Sequence, residues 1–205
     1  MTDSTMYAIE HHYYQLGAQT ICGVDEAGRG PWAGPVVAAA VILKKDAQFT
    51  YVNDSKQLSE SQRQKALIEI KEQSLSIGIG IASVEEIDRI NIYRASREAM
   101  LSAIRQLKIK PDFVLIDAMP MELDIPHLSI IKGDQKSISI AAASIVAKTT
   151  RDQYMMEMDA LFPKYGFKNH KGYGTKEHVE ALLAYGVLPI HRTSYKPIKK
   201  LLEKK

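Results

Sequence analysis

Ile21-Cys22-Gly23-Val24-Asp25-Glu26-Ala27-Gly28-Arg29-Gly30-Pro31 is the stretch that decides how this chain is read. Its first four residues form an apolar run of strand length, and two adjacent carboxylates follow at once. Val36–Leu43 comes next and is apolar throughout, as a strand buried on both faces would be. Ile77, Ile79 and Ile81 alternate with Ser76, Gly78 and Gly80, so a third strand has one bulky and one small face. Residues 113–116 read as a fourth strand that stops at Asp117, and residues 128–131 as a fifth. Helices fill the gaps. Ser59 with Gln62 and Ser83 with Glu86 have the spacing of capping boxes, the first opening a helix to about Glu72. Residues 93–107 carry apolar positions at helical spacing and stop before Pro111. Residues 137–161 read as one long helix, and Ala141, Ala142, Ala143 and Ala147 near its start would let it lie close against a sheet. Thr175 is placed to cap a helix that ends at Gly186. Three early strands followed by strand–helix alternation predict an α/β fold with a mixed sheet and a C-terminal helical part.

The chain has 205 residues, enough for one large domain or two small ones at on the order of 100–200 residues each. Hydrophobic residues make up 45% and charged residues 25%, which excludes a disordered chain. No apolar run is longer than Val36–Leu43, so no membrane partner is expected. Residues 1–10 lack a basic patch followed by an apolar core, and the expected compartment is therefore the cytoplasm. Cys22 is the single cysteine, which excludes an intrachain disulfide and a cysteine-cluster metal site. A net charge of +3 permits a nucleic-acid partner without demanding one. Lys and Arg crowd the C-terminal third, from Lys164 to Lys205, as either a solvated surface or a phosphate-facing side.

Acidic residues stand at three strand ends. Asp25 and Glu26 follow the first strand, Asp117 the fourth, and Asp134 lies just past the fifth. Strand ends along one sheet edge are the usual place for an α/β active site. Clustered carboxylates raise one another's pKa, and a divalent cation relieves that repulsion. Mg²⁺ takes a few carboxylate oxygens and completes its octahedron with water and substrate phosphate. Taken singly, each acidic residue is equally a turn former or cap, so the four count together only if their strands are neighbours. Adjacent strand residues point to opposite faces, so Asp25 and Glu26 share a site only if the strand ends or bulges there. Gly28 and Gly30 leave the backbone bare for a ligand and Arg29 offers a fork for phosphate, unless the segment is a plain tight turn. Lys56 precedes a helix start, where amides bind anions, or is a simple exposed lysine. His170 and Lys171 form a basic pair beside Tyr173. Flanking Gly172 and Gly174 would hold that ring on flexible backbone, where it suits stacking on a sugar or base, or would pack it into a turn. The six histidines form no tight metal pair.

These residues resemble the signature of type 2 ribonuclease H, the ribonuclease HII family. The resemblance covers residues 21–31, 34–43, 54–56, 114–118, 132–134, 139–148 and 165–175, in the family's order. Trp32 stands where an aliphatic residue is expected. The resemblance implies a ribonuclease H-like α/β domain over residues 20–165 and a C-terminal helical substrate-binding extension over 166–205, with residues 1–20 outside the matching motifs. It implies an endoribonuclease that cuts the RNA strand of RNA–DNA hybrids. It also implies nicking of duplex DNA on the 5′ side of an embedded ribonucleotide, leaving 5′-phosphate and 3′-hydroxyl ends. The family's metal-binding carboxylates match Asp25, Glu26, Asp117 and Asp134, with Mg²⁺ or Mn²⁺ as cofactor. Gly28, Arg29 and Gly30 match its ribonucleotide-contacting motif and Tyr173 its junction-sensing tyrosine. Lys56, Ser139 and Ser144 match positions near the nucleic-acid backbone. The expected partners are RNA–DNA hybrid and ribonucleotide-containing duplex, held by a monomer mainly through phosphates, so that binding weakens with salt. Two other classes stay open: a non-catalytic hybrid-binding module, and a metal-dependent hydrolase of small nucleotides with a closed pocket.

Overall fold

Val36–Leu43 lies inside a five-stranded sheet and is buried at every position, as its unbroken apolar run requires. The computed structural model describes residues 4–53, 55 and 57–203. Asp54 and Lys56 therefore lie outside the described residues, and so does the anion-binding role expected of Lys56. The strands are β1 (Ile21–Ala27), β2 (Val36–Leu43), β3 (Ser74–Ala82), β4 (Phe113–Asp117) and β5 (His127–Ile130), in the spatial order β3-β2-β1-β4-β5. The β1–β2 and β2–β3 pairs are antiparallel, while β1–β4 and β4–β5 are parallel, which makes the expected mixed sheet. The helices are α1 (Ala8–Gln15), α2 (Glu60–Gln73), α3 (Val84–Ile90), α4 (Ile92–Arg105), α5 (Ile138–Leu161), α6 (Phe167–His170), α7 (Lys176–Tyr185) and α8 (Lys196–Leu202). Both capping boxes form, at Ser59 for α2 and at Ser83 for α3.

Small residues set how closely the layers approach. A Cβ on Gly23 would lie 2.0 Å from the Ser139 carbonyl carbon, so the start of α5 rests directly on β1. On the opposite face, Cβ atoms at Gly78 and Gly80 would lie 2.0 Å from the carbonyl oxygens of Ala103 and Ala99, so α4 rests on the small face of β3. The bulky face of β3 is the more open one, with Ile79 39% and Ile81 56% exposed. Close helix approach, not side-chain size, decides which face of β3 is covered.

Residues 1–20 carried no expected role, yet α1 docks on the sheet layer. Glu10 is buried and its Oε1 accepts from the Ser137 hydroxyl at 2.6 Å and the Ser139 amide at 3.0 Å, which caps the start of α5. Tyr13 stacks on Phe113 with ring centroids 3.8 Å apart. At the other end, Met155 of α5 packs with Tyr165, Phe167, Leu182 and Ile198 in a separate core cluster. Ala33 and Trp32, from the β1–β2 connection, are part of that cluster, so this connection joins the sheet to the C-terminal helices. Among the described residues no helix is long and apolar enough to cross a membrane.

Candidate active site

Parallel pairing aligns the first two carboxylates. Val24 of β1 sits opposite Ile116 of β4, so Asp25 and Asp117 are the next residues in step. Gly23 faces α5, and by strand alternation Asp25 faces it too. The Ser144 hydroxyl on α5 hydrogen-bonds the Asp25 carboxylate, and Ser144 Oγ lies 2.9 Å from Ser55 Oγ. Asp25 and Glu26 do share a cavity, but not because β1 ends or bulges. The β1–β2 ladder continues in register to Ala27, whereas pairing with β4 stops at Val24. Beyond that point the β4 side of β1 is open, and Asp25 Oδ1 accepts from the Glu26 amide at 2.7 Å. Asp117 Oδ1 accepts from the Gly133 amide at 2.6 Å, which ties the Lys132–Asp134 turn to the end of β4.

Asp25, Glu26 and Asp117 line a cavity of about 380 Å³ together with Gly28, Arg29, Gly30 and Tyr173. Arg63, Lys148 and Arg151 line it too, so the carboxylates face a cationic wall. Burial, then the charges of Glu26 and Asp117, push Asp25 well above the usual carboxylate range. Burial and the Asp117 charge push Glu26 up to about 7 against the pull of Arg29, whose Nη1 lies 3.4 Å from Glu26 Oε1. Carboxylates that resist ionisation together, facing one cavity, form the oxygen-donor set a hard divalent cation fits. Among the described residues no three His, Cys, Asp or Glu side chains enclose an ion by themselves, so water or phosphate oxygens would complete its shell.

This electrostatic arrangement makes stability depend on pH. Glu26, with a folded pKa of about 7, holds its proton more tightly than an ordinary carboxylate near 4.5. Its stabilising contribution is therefore full below about 4.5 and lost as pH rises through about 7, and Asp25 shifts in the same direction. A bound divalent cation favours the ionised forms. Mg²⁺ should accordingly raise the melting temperature more at about pH 8 than at about pH 5.5. Thermal melts with and without Mg²⁺ measure this, and equal shifts at both pH values would contradict the assignment.

Several expected site residues do not line this cavity. Asp134 is buried in the turn after β5 and does not line the cavity, although its neighbour Gly133 bonds Asp117. Ser139 is buried under β1 with its amide on Glu10, so it does not reach a nucleic-acid backbone. His170 is buried, with Nε2 on the Tyr165 carbonyl at 2.8 Å and Nδ1 accepting from the Gly172 amide at 3.2 Å. It holds the tyrosine turn and has no ring nitrogen left for substrate. Lys171 places its ammonium on the Lys168 carbonyl at 2.6 Å and does not line the cavity. Gly28 has φ +99°, and a Cβ there would lie 2.2 Å from Arg151 Nε, so this glycine makes room for a buried guanidinium while its backbone still borders the cavity. Gly30 is the open one, its nearest neighbour being the Tyr173 ring at 3.4 Å from a built Cβ. Trp32, the departure from the family pattern, covers Gly174 and tilts against His178, outside the cavity lining.

The tyrosine turn is also not flexible, despite its glycines. The Lys171 carbonyl accepts from Arg151 Nη1 at 3.0 Å, and the Gly172 carbonyl from the Trp32 amide at 2.8 Å. The Tyr173 amide donates to the His170 carbonyl at 2.9 Å. Tyr173 itself is 45% exposed, a ring presented to solvent on a fixed backbone. Two residues that sequence reasoning missed do much of this holding. Arg151 and Arg192 are both 0% exposed. Arg151 also donates to the Ala33 and Pro35 carbonyls, and Arg192 to those of Gly28, Arg29, Gly34 and Pro35. Burial and the nearby Arg192 charge pull Arg151 down to about 10.

The ribonuclease HII family model matches residues 22–198. A ribonuclease HII of Enterococcus faecalis is 54% identical over 197 residues, which is 96% of this chain and 77% of that protein. The crystal structure of ribonuclease H2 from Pyrococcus horikoshii OT3 is similar with a TM-score of 0.78 at 26% identity, over 91% of this chain and 98% of that one. Bst ribonuclease HIII in complex with Mn²⁺ shares the fold, with a TM-score of 0.67 at 18% identity over 93% of this chain and 71% of that one. The carboxylates at neighbouring strand ends thus sit in a fold and a sequence that other ribonucleases share, and the chain belongs to the ribonuclease HII family.

Proposed function

We propose that this ribonuclease HII nicks duplex DNA on the 5′ side of an embedded ribonucleotide, besides the hydrolysis of RNA in RNA–DNA hybrids that its family membership carries. The observation that supports the nicking reading is the cavity itself: the carboxylates of Asp25, Glu26 and Asp117 open onto Gly30 and the exposed Tyr173 ring. RNA differs from DNA by its 2′-hydroxyl, both donor and acceptor. Gly30 offers bare backbone to that hydroxyl, the nearest neighbour of a built Cβ being the Tyr173 ring at 3.4 Å. Tyr173, fixed in place, stacks on the adjoining deoxyribose, where an extra hydroxyl fits poorly. Water adds to phosphorus and the P–O3′ bond breaks, leaving a 3′-hydroxyl on the upstream DNA and a 5′-phosphate on the ribonucleotide. Asp25, Glu26 and Asp117 would hold the cofactor, Mg²⁺ or Mn²⁺, with Asp134 contributing from the adjoining turn. The ion would supply Lewis-acid activation of the phosphodiester. Arg29, Arg63 and Lys148 attract the backbone phosphates, and Ser144 orients Asp25. Residues 20–165 form the catalytic part and 166–205 the part that reads the junction.

Two end-labelled duplexes, identical except for one ribonucleotide, test this. Cutting of only the ribonucleotide duplex, on its 5′ side and only with Mg²⁺ or Mn²⁺, is the expected result. Cleavage of both duplexes would refute the sugar-reading role of Gly30 and Tyr173. Binding without cleavage would favour a non-catalytic hybrid-binding module.

A further inference from the structure

Three buried histidines stand behind the tyrosine turn, and two of them form a relay whose ends are both backbone groups. The Leu188 amide, which can only donate, lies 2.9 Å from His191 Nδ1. The same nitrogen lies 3.2 Å from the Leu188 carbonyl, which already accepts from the His191 amide at 3.0 Å. His191 Nε2 lies 3.0 Å from His178 Nε2. His178 Nδ1 lies 2.9 Å from the Tyr173 carbonyl, which can only accept. The Tyr173 carbonyl fixes the directions: a neutral His178 that donates to it from Nδ1 has a bare Nε2, so His191 donates from Nε2 and its Nδ1 accepts from the Leu188 amide. Burial pushes both rings down to about 4, so both are neutral at physiological pH, as the relay requires. His170 stacks on His178 at 4.5 Å between centroids, with planes 12° apart, and fixes the plane of that ring.

We propose that His178 and His191 are positioning residues for junction recognition, holding the Tyr173 ring in register by fixing its carbonyl. This rests on the reading of Tyr173 given above. Gly172 and Gly174 have no side chains of their own to set the backbone on either side, so the direction of the Tyr173 side chain depends on the packing of the turn and on the bonds at its own amide and carbonyl. The amide is held by the His170 carbonyl, and the carbonyl by His178 and by the Thr175 amide at 2.8 Å. His178 donates to that carbonyl only in its Nδ1–H form, and the donor from His191 selects this form. The trio is thus committed to hydrogen bonding.

Two measurements test the proposal. In the unmodified protein, ¹⁵N NMR of the imidazoles should show His178 protonated at Nδ1 and His191 at Nε2, and the reverse assignment at His178 overturns the relay. The second is the ratio of kcat/KM on a single-ribonucleotide duplex to kcat/KM on a uniform RNA–DNA hybrid, which has no junction at the cut. His191→Leu should lower this ratio about tenfold, the effect of one lost buried hydrogen bond. His191→Gln, which keeps a donor near Nε2, should restore most of it. A loss shared equally by both substrates, or no rescue by Gln, means that the histidines only stabilise the fold and overturns the proposal. Tyr173→Ala separates the two readings. If its ratio equals that of the unmodified protein, the role of Tyr173 itself is refuted. If it falls while His191→Leu does not, the histidine proposal alone is refuted.

Discussion

Asp117→Asn is expected to reduce cleavage at an embedded ribonucleotide by at least about a hundredfold, the upper end of what losing a mere outer-shell partner of a metal costs. The substitution is nearly isosteric. The asparagine oxygen can still accept from the Gly133 amide, which Asp117 Oδ1 holds at 2.6 Å, so the turn after β5 keeps its anchor. What disappears is one negative charge facing Asp25 and Glu26, both of which that charge pushes upward. The metal-free variant should therefore melt no lower than the unmodified protein, while its stabilisation by Mg²⁺ shrinks. Cleavage assays beside thermal melts with and without Mg²⁺ check both halves. A folded Asp117→Asn protein that cuts within tenfold of normal would place the metal-holding function elsewhere.

The sheet and the carboxylates were legible because their signals are local. A short all-apolar run has to be buried on every side, and Val36–Leu43 is, inside the sheet. Ser59 with Gln62 and Ser83 with Glu86 carry the whole geometry of a helix start within four residues, and both starts form as expected. Asp25 and Asp117 follow apolar runs directly, so their places at strand ends needed only the parallel register to bring them together. The groups that hold the Gly28–Gly30 segment and the tyrosine turn were not legible, because their partners are distant backbone carbonyls. Arg151 and Arg192 look like surface cations in sequence, and no carboxylate spacing marks them as buried. Their partners at residues 28–35 belong to a connection whose carbonyls find few partners of their own in the sheet ladders. For the same reason Gly28 looked like a ligand-facing glycine, although the group it admits is the Arg151 side chain. His170, His178 and His191 meet through the packing of α6, α7 and the segment after them, and nothing in their sequence spacing foretells it.

Arg192→Leu should have the largest effect on stability. The guanidinium is fully buried and, among the described residues, forms no ion pair to a carboxylate, so carbonyl dipoles offset its desolvation. Its Nη2 is 2.6 Å from the Gly28 oxygen, and its Nε and Nη2 are 2.9 and 2.7 Å from that of Gly34. The Pro35 carbonyl keeps a donor in Arg151, and the Arg29 carbonyl keeps one in the Tyr195 hydroxyl at 2.5 Å. Those of Gly28 and Gly34 lose theirs, and each unsatisfied buried acceptor costs about 1–3 kcal/mol, so the loss is about 2–6 kcal/mol. Leucine fills the volume but offers no donor, which is why an apolar replacement is not neutral here although it often is for a buried ion pair. Arg192→Lys keeps the charge but replaces the planar fork with a single ammonium, so it should recover only part of that stability. Urea denaturation of the three proteins measures the series. Because the same carbonyls belong to the segment bearing Gly30, the surviving folded Arg192→Leu protein should also discriminate less between ribonucleotide-containing and plain duplexes. A destabilisation under about 1 kcal/mol with discrimination intact would show that this segment holds its shape without the buried guanidinium.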